Sequence, residues 1–355
     1  MDYKAAAELL KKQDRILILT HRRPDGDTIG CAAGLCAALR EQGKTACILP
    51  NEDATSLFTP YLEGYLAEED WEPDFVVSVD IAGRSLFTPR GERYLARGID
   101  LGIEYGLVGS EMCIRDRFTP RGERYLARGI DLGIDHHPSY EGFARESCVD
   151  PGRAACGELI YDLIRQWGPV SPAAALPLYV AVATDTGCFM YSNTTPATHR
   201  VCADLMAVGI DFQGVNKRHF RTKSLKRLRL ESLLVDGMDV HDGGATVIAA
   251  ISLADMARLE ATERDAEDIA AFLGQIEGVR TSVTIRELAP GECKLSVRTD
   301  QGLNATRVCA LLGGGGHASA AGCTVMGTVA EAKAAILAAI RQVWVEDRDG
   351  ASAGT

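Results

Sequence analysis

This chain has no run of apolar residues approaching the roughly 18 that a membrane-spanning helix needs. Its opening stretch, MDYKAAAELLKKQDR, is charged and helix-like and lacks the apolar core of a signal peptide. The eleven cysteines include no CxxC pair and are odd in number. That pattern argues against a structural zinc site or a disulfide framework, and for reduced thiols in a cytoplasm. Positive charge is also scarce. A net charge of −11 argues against a protein that coats long nucleic acid, because such binding draws on many cationic contacts and the counterions they release. Small phosphorylated ligands, held locally through metals, stay open.

What is present suffices for two domains, since 355 residues exceed the length at which a single core usually stops growing. RILILT (15–20), TACILP, FVVSVD (75–80) and the GIDLGI before Asp135 are apolar runs of strand length. Helical patterns separate them, among them TIGCAAGLCAALREQG, CGELIYDLIRQWG and ALPLYVAVATDTG. Strands alternating with helices predict an α/β fold with a parallel, Rossmann-like sheet, whose ligands collect beyond the carboxyl ends of the strands. After about residue 215 the character changes. KRHFRTKSLKRLRL (217–230) holds seven Lys or Arg and no acid; it reads as a solvated connector helix or as a guide for phosphates. Beyond it GATVIAAIS, SVTIRE and CKLSVRT are strand-like, with helical segments between them. The expected organisation is a catalytic domain over 1–215, a basic linker over 216–238, a smaller α/β domain over 239–345 and a disordered tail over 346–355.

THRRPDGDTIG (20–30) places His21, Asp25 and Asp27 directly after the first strand, with Pro24 and Gly26 favouring a tight turn. One imidazole with two carboxylates suits a borderline-to-hard divalent ion such as Mn²⁺. Taken alone, the stretch also reads as a surface turn. Asp80 ends FVVSV, His136 follows GIDLGI, and Asp185 closes LPLYVAVAT. One Asp at such a place is commonly a helix cap; four ligand-rich ends in one chain are not explained that way. Two His and four Asp can hold two ions with one carboxylate shared, and ions about 3.5–4 Å apart are the usual apparatus of phosphoester hydrolysis. Further on, Gly313, Gly314, Gly315 and Gly316 precede His317. Successive glycines let a backbone approach an anion and turn its N–H groups inward as a nest, or they serve as a hinge. Arg298, in KLSVRTD, offers a two-pronged donor for phosphate.

In this order, HRRPDGD, SVD, DHH and ATDTG resemble the four motifs of the DHH phosphoesterase family, and GGGGHASAAG (313–322) resembles the signature of its DHHA1 substrate domain. The five motifs span nearly the whole chain. The subgroup they most resemble is that of nanoRNases, oligoribonucleases that also dephosphorylate 3′-phosphoadenosine 5′-phosphate (pAp). The resemblance implies that His21, Asp25, Asp27, Asp80, His136 and Asp185 are ligands of two Mn²⁺ ions, with Mg²⁺ or Co²⁺ as substitutes and Asp80 bridging. It implies that Asp135 orients the histidines, that His137 faces the substrate phosphate, and that the DHHA1 loop with His317 holds the other end of the substrate. The expected reaction is attack by a metal-held hydroxide on phosphorus, in line with the departing sugar oxygen. The expected partners are short oligonucleotides or pAp, with no long nucleic acid and no membrane; a homodimer stays open. A cyclic-dinucleotide phosphodiesterase is the nearest rival, while GGGGH points away from a pyrophosphatase. A nucleotide-binding protein without turnover is the reading from another class.

One feature has no counterpart in that family pattern. FTPRGERYLARGIDLGI occurs at 87–103 and again, 31 residues later, at 118–134. Divergent structural repeats keep a pattern rather than an identical string, so the unit at about 87–117 reads as a duplicated insert of recent or artefactual origin. Only the second copy delivers Asp135-His136-His137, so it is expected to be the working strand, with the first IDLGI extruded. The helix within the repeat is open to either copy. A true insert that spoiled the site would favour the binding-protein reading.

Overall fold

Ile16–Leu19 (β1) and Phe75–Val79 (β3) are buried along their whole length, the pattern of strands covered on both faces. The computed structural model describes residues 1–95, 129–266, 269–300 and 302–352, and it divides into two units, Met1–Thr222 and Lys223–Thr355. The division falls inside the basic run that was expected to be a linker.

The first unit runs α1 (Tyr3–Lys11), β1, α2 (Gly26–Glu41), β2 (Ala46–Ile48), β3, α3 (Pro89–Glu92), β4 (Leu132–Asp135), β5 (Glu146–Val149), α4 (Cys156–Ile164), α5 (Pro172–Asp185), α6 (Pro196–Ala207) and α7 (Phe212–Asn216). Its five strands are all parallel, in the order β2-β1-β3-β4-β5. The chain order reverses between β1 and β3, and crevices form at such switch points beyond the strands' carboxyl ends. The polar, half-exposed β5 (ESCV) was not among the expected strands, since its composition carries no apolar run.

Helix α2 is buried from Gly26 to Leu39 because its residues are small on every side. It packs antiparallel on α5 along a ridge of glycines four residues apart. A Cβ at Gly26 would strike the Thr184 side chain. One at Gly30 would strike the Pro177 carbonyl and stand 2.8 Å from Ala181 Cβ, and one at Gly34 would stand 2.7 Å from Leu178 Cγ. This seam brings the start of α2 and the end of α5 to one place.

The second unit continues with α8 (Leu225–Asp236), β6 (Asp239–His241), β7 (Thr246–Ile251), α9 (Leu253–Arg258), β8 (Thr281–Ala289), β9 (Glu292–Thr299), α10 (Ala305–Ala310), β10 (Gly315–His317), β11 (Ala320–Met326) and α11 (Val329–Ser352). Its sheet has the order β10-β11-β9-β8-β7-β6, with only β7 and β8 parallel. Alternation sorts β7: Val247, Ala249 and Ile251 join Leu230 and Leu234 of α8, whereas Ile248 joins the core made with α10 and α11. Helix α11 continues to Ser352, through most of the segment expected to be a disordered tail. Among the described residues no helix is long and apolar enough to cross a membrane, and the ten cysteines are free.

The glycine run corrects an expectation. It forms no nest from four inward N–H groups, because Gly313 N and Gly314 N donate to the Ala310 and Cys309 carbonyls (3.1 and 2.8 Å) at the end of α10. Gly315 and Gly316 then enter the β10–β11 hairpin. A Cβ at Gly314 would strike the backbone of β11, and Gly316 has φ 144° with Ala320 O only 2.7 Å from where its Cβ would stand. Close strand approach therefore accounts for these two glycines.

The repeat is divided between its copies. From the first, Thr88 caps α3 by accepting from Gly91 N (3.0 Å), Phe87 meets Phe143 edge-on with centroids 5.0 Å apart, and Tyr94 is buried in the same cluster. From the second come Ile130, which joins that cluster, and β4, which pairs with β3. The expected extrusion of 99–103 lies outside the described residues. Because the copies are identical, deleting 87–117 or 96–126 yields the same polypeptide, one that retains a full set of these contacts. That 31-residue deletion is expected to leave Mn²⁺ affinity unchanged and the melting temperature unchanged or higher, by titration calorimetry and thermal denaturation; loss of Mn²⁺ affinity refutes it.

Candidate metal centre

Three strand ends, one helix start and one helix end supply the six expected ligands. His21 follows β1, Asp80 follows β3, His136 follows β4, Asp25 and Asp27 open α2, and Asp185 ends α5. All six converge. His21, Asp25 and Asp80 form one group and Asp27, His136 and Asp185 another, with the candidate ligand atoms of each group within 4.8 Å of one another. Asp80 faces both. Its Oδ2 lies 3.7 Å from His21 Nε2 and its Oδ1 lies 3.6 Å from His136 Nε2. Asp25 Oδ1 stands 3.6 Å from His21 Nε2, while Asp27 Oδ2 and Asp185 Oδ2 stand 3.7 and 3.5 Å from His136 Nε2.

The histidines are turned for ligation. His21 Nδ1–H donates to the Arg22 carbonyl (2.8 Å) and His136 Nδ1–H to the Arg153 carbonyl (3.1 Å), so each leaves the Nε2 lone pair facing the carboxylates. Asp135, expected to orient the histidines, reaches only one ring. Its Oδ1 accepts from His137 Nδ1 at 2.8 Å and from the backbone N–H of His136 and His137. His137 belongs to a third overlapping group with Asp80 and His136.

Backbone N–H groups fix two of the carboxylates, Asp25 and Asp27. Asp25 is both cap and candidate ligand, with Oδ1 accepting from Asp27 N and Thr28 N (3.0 and 3.2 Å). Buried Asp27 accepts from Cys156 N at 2.7 Å and Gly157 N at 2.9 Å, the opening N–H groups of α4. Asp80 sits in left-handed backbone, φ 58°, which turns its side chain off the line of β3. Asp185 lies at a helix carboxyl end, where the helix dipole disfavours an acid and favours a cation.

Several supporting residues were not anticipated from the sequence. Asn51 Nδ2 donates to Thr20 Oγ1 and the His21 carbonyl (2.9 and 2.8 Å), pinning the first loop. Asn193 Nδ2 donates to the carbonyls of Asp185 and Ala154 (3.1 and 3.0 Å), tying the end of α5 to the turn before α4. The Arg153 guanidinium meets Asp150 at 3.2 Å, Asp162 at 2.5 Å and the buried Glu158 at 3.6 Å, which fixes the carbonyl that orients His136. Isolated polar residues carry no periodic signal. The glycines of α2, four residues apart, were not singled out in the sequence; they serve the packing of α2 on α5.

The electrostatics call for positive charge. Burial, and then repulsion from Asp185 and Asp25, raise the Asp27 pKa well above the ordinary carboxylate value. Burial and then Asp27 do the same to Asp80. Burial also raises Asp185, against the attraction of His136. Asp80 Oδ1 is buried with no hydrogen-bond partner among the described residues. Burial opposes a charged His21, but the adjoining Asp25 carboxylate holds its pKa above the ordinary value; burial likewise opposes a charged Asp25, and His21 holds that carboxyl below. Hydrogen bonding to Asp135, against burial, raises His137. Two imidazole nitrogens and four carboxylates, one of them shared, match two borderline-to-hard dications in donor type and in charge.

The N-terminal-domain model of the DHH family matches residues 15–210, and the DHHA1 domain model matches 245–346. A relative in Thermus thermophilus, named bifunctional oligoribonuclease and PAP phosphatase NrnA, is 30% identical over 96% of this chain and 93% of its own. The protein of that name in Bacillus subtilis is 24% identical over 88% of this chain and 90% of its own. The crystal structure of an exopolyphosphatase-related protein from Bacteroides fragilis shares the fold, with a TM-score of 0.75 over 96% of this chain and 95% of that one at 23% identity.

Two outcomes follow from this geometry. Gly30→Ala wedges α2 from α5 and is expected to cost about 1–3 kcal/mol in denaturant unfolding and to weaken Mn²⁺ binding, because α5 carries Asp185. The second concerns pH. Without metal the raised groups make the folded state bind more protons than the unfolded one, so their contribution is full below the ordinary carboxylate pKa of about 4 and is lost as pH rises through the raised values, with Asp25 opposing. A dication held by these carboxylates would replace those protons. The gain in melting temperature on adding Mn²⁺ is therefore expected to be larger near about pH 8 than near about pH 5; a pH-independent gain in calorimetry contradicts this.

Proposed function

The chain belongs to the DHH family, and from that membership we propose that it is a metal-dependent phosphoesterase acting on short oligoribonucleotides and on pAp. The observation that carries the proposal is the convergence of His21, Asp25, Asp27, Asp80, His136 and Asp185 into two adjoining groups, with Asp80 of the first also facing His136 of the second. In our reading His21, Asp25 and Asp80 hold one ion, and Asp27, His136, Asp185 and the shared Asp80 hold the other. Two Mn²⁺ ions, or Mg²⁺ or Co²⁺ in their place, supply when bound an activated water and positive charge against the phosphoryl oxygens.

The protein's own contribution is placement and charge. The Arg22 and Arg153 carbonyls keep the protons of His21 and His136 on Nδ1. Asp135 holds the His137 proton on Nδ1 and favours the imidazolium. The ring is 42% exposed, so its Nε2–H is available to a phosphoryl oxygen, a preorganised donor where negative charge develops. In the second domain, His317, Ala320 and Arg298 stand opposite one another across β10, β11 and β9. Residues so paired share a face, so a small Ala320 separates two potential phosphate donors. We assign a phosphate contact of the substrate to Arg298 and His317, without the nest first expected from the glycines.

Short substrates are supported by the names of the relatives and by a net charge of −11, which gives a long polyanion little to hold. Free thiols at all the described cysteines suit a reducing cytoplasm. The test is a parallel Mn²⁺ assay of pAp, a diribonucleotide, a cyclic dinucleotide and an RNA of about 20 nucleotides. The dinucleotide and pAp are expected to turn over fastest, with Asp80→Ala lowering kcat/KM by at least about 100-fold and Arg298→Ala acting mainly on KM. Equal rates on the longest and shortest RNA overturn the substrate assignment.

A further inference from the structure

Directly after Asp185 the backbone enters a conformation that L-residues avoid. Gly187, Cys188 and Phe189 have φ of 55°, 56° and 67° in succession, and only the first is glycine. The turn is firmly bonded all the same. Thr186 Oγ1 accepts from Phe189 N (3.2 Å), and the Thr186 carbonyl accepts from Met190 N and Tyr191 N (both 3.0 Å). Asn193 closes the loop on the Asp185 carbonyl.

The strain sorts the side chains that follow. Phe189 turns inward, its ring 5.1 Å from His199 and 6.4 Å from Tyr179. Met190 and Tyr191 turn outward, 77% and 60% exposed. The Tyr191 ring lies against Gly187, so close that a Cβ there would collide with it. An exposed aromatic, six residues on from Asp185, is thus held against Gly187, itself only two residues beyond that carboxylate. Strained backbone kept at such a place is a reason to look for a ligand. Metal and phosphate have no use for an aromatic face, whereas every nucleobase has a π face to stack on one, and a neighbouring thioether packs well against rings.

We infer that Tyr191, flanked by Met190, is the platform on which a nucleobase of the substrate stacks while its phosphate lies at the Asp80 cluster. The inference rests on the nucleotide-hydrolase reading and deepens it: selectivity for phosphoesters that carry a base originates here, within the first domain.

The test pairs kinetics with a binding signal. A diribonucleotide and its abasic analogue, with the same phosphodiester but no base, are compared in the wild type, Tyr191→Ala and Tyr191→Phe. Tyr191→Ala is expected to lower the ratio of kcat/KM for the dinucleotide over the abasic analogue by about tenfold or more, chiefly through KM, and Tyr191→Phe to restore it. A dinucleotide bearing 2-aminopurine should lose fluorescence on binding to the wild type and to Tyr191→Phe, but not to Tyr191→Ala. An unchanged ratio together with undiminished quenching in Tyr191→Ala overturns the inference while hydrolysis stands. Quenching that depends on Tyr191 in a protein that hydrolyses no dinucleotide supports the inference and overturns the hydrolase reading instead.

Discussion

Three carboxylates held around a buried fourth, Asp80, are the constraint from which the first domain follows. Asp80 has no room to move away: its backbone is left-handed, a conformation costing a non-glycine residue roughly 1–2 kcal/mol, and its amide is tied to the Ile134 carbonyl at 2.9 Å. Asp27 cannot swing out either, because both oxygens accept backbone N–H groups at the start of α4. Burial and mutual repulsion penalise ionisation of Asp27, Asp80 and Asp185 alike. Positive charge, whether carried by protons or by bound metal, offsets that repulsion. Two dications would balance four carboxylates, Asp25 and Asp80 standing in one group and Asp27 and Asp185 in the other.

The convergence depends on helix packing more than on the loops that carry the ligands. Strand ends at the switch point bring His21, Asp80 and His136 near one another in any doubly wound sheet of this order. Asp185 comes from a helix, and only the ridge of Gly26, Gly30 and Gly34 lets α5 approach closely enough to add it. The same antiparallel pairing sets the amino end of α2 beside the carboxyl end of α5. The first end stabilises Asp25 and Asp27; the second repels Asp185 and attracts cations. Opposite helix ends thus act together in recruiting metal. Arg153 and Asn193 complete the second group through backbone carbonyls, at His136 and at Asp185.

The sequence made the parallel sheet and the six converging His and Asp residues legible, because buried strands are short apolar runs and each of the six stands at the end of one or at a helix terminus. Less of the support was legible. Asn51 and Asn193 donate to carbonyls brought close by the fold, Arg153 offers its own carbonyl to His136, and nothing in their local sequence marks them. Asp135 was assigned to the histidines in general, yet only His137 gives it a ring nitrogen, since the other two rings are met by main chain. The glycine run misled for a physical reason. Glycine serves equally where a backbone must approach an anion and where it must approach another strand, and composition does not distinguish them. Gly314 and Gly316 are there for β11.

The duplicated segment separates local preference from tertiary demand, because two identical strings have identical intrinsic preferences. In the described residues the first copy supplies the Phe87–Tyr94 turn and the second supplies Ile130 and β4. What differs between the copies is their attachment. The first begins seven residues after Asp80, and its Phe87 pairs with His21 while Leu86 accepts from Arg22 N. The second ends directly before Asp135-His136-His137, and its Asp131 also accepts from Val76 N at 2.9 Å. Each copy is therefore recruited at the end nearest the carboxylate cluster. One slot beside β3 accepts one strand, and the strand it takes is the one whose carboxyl end brings His136 to Asp80.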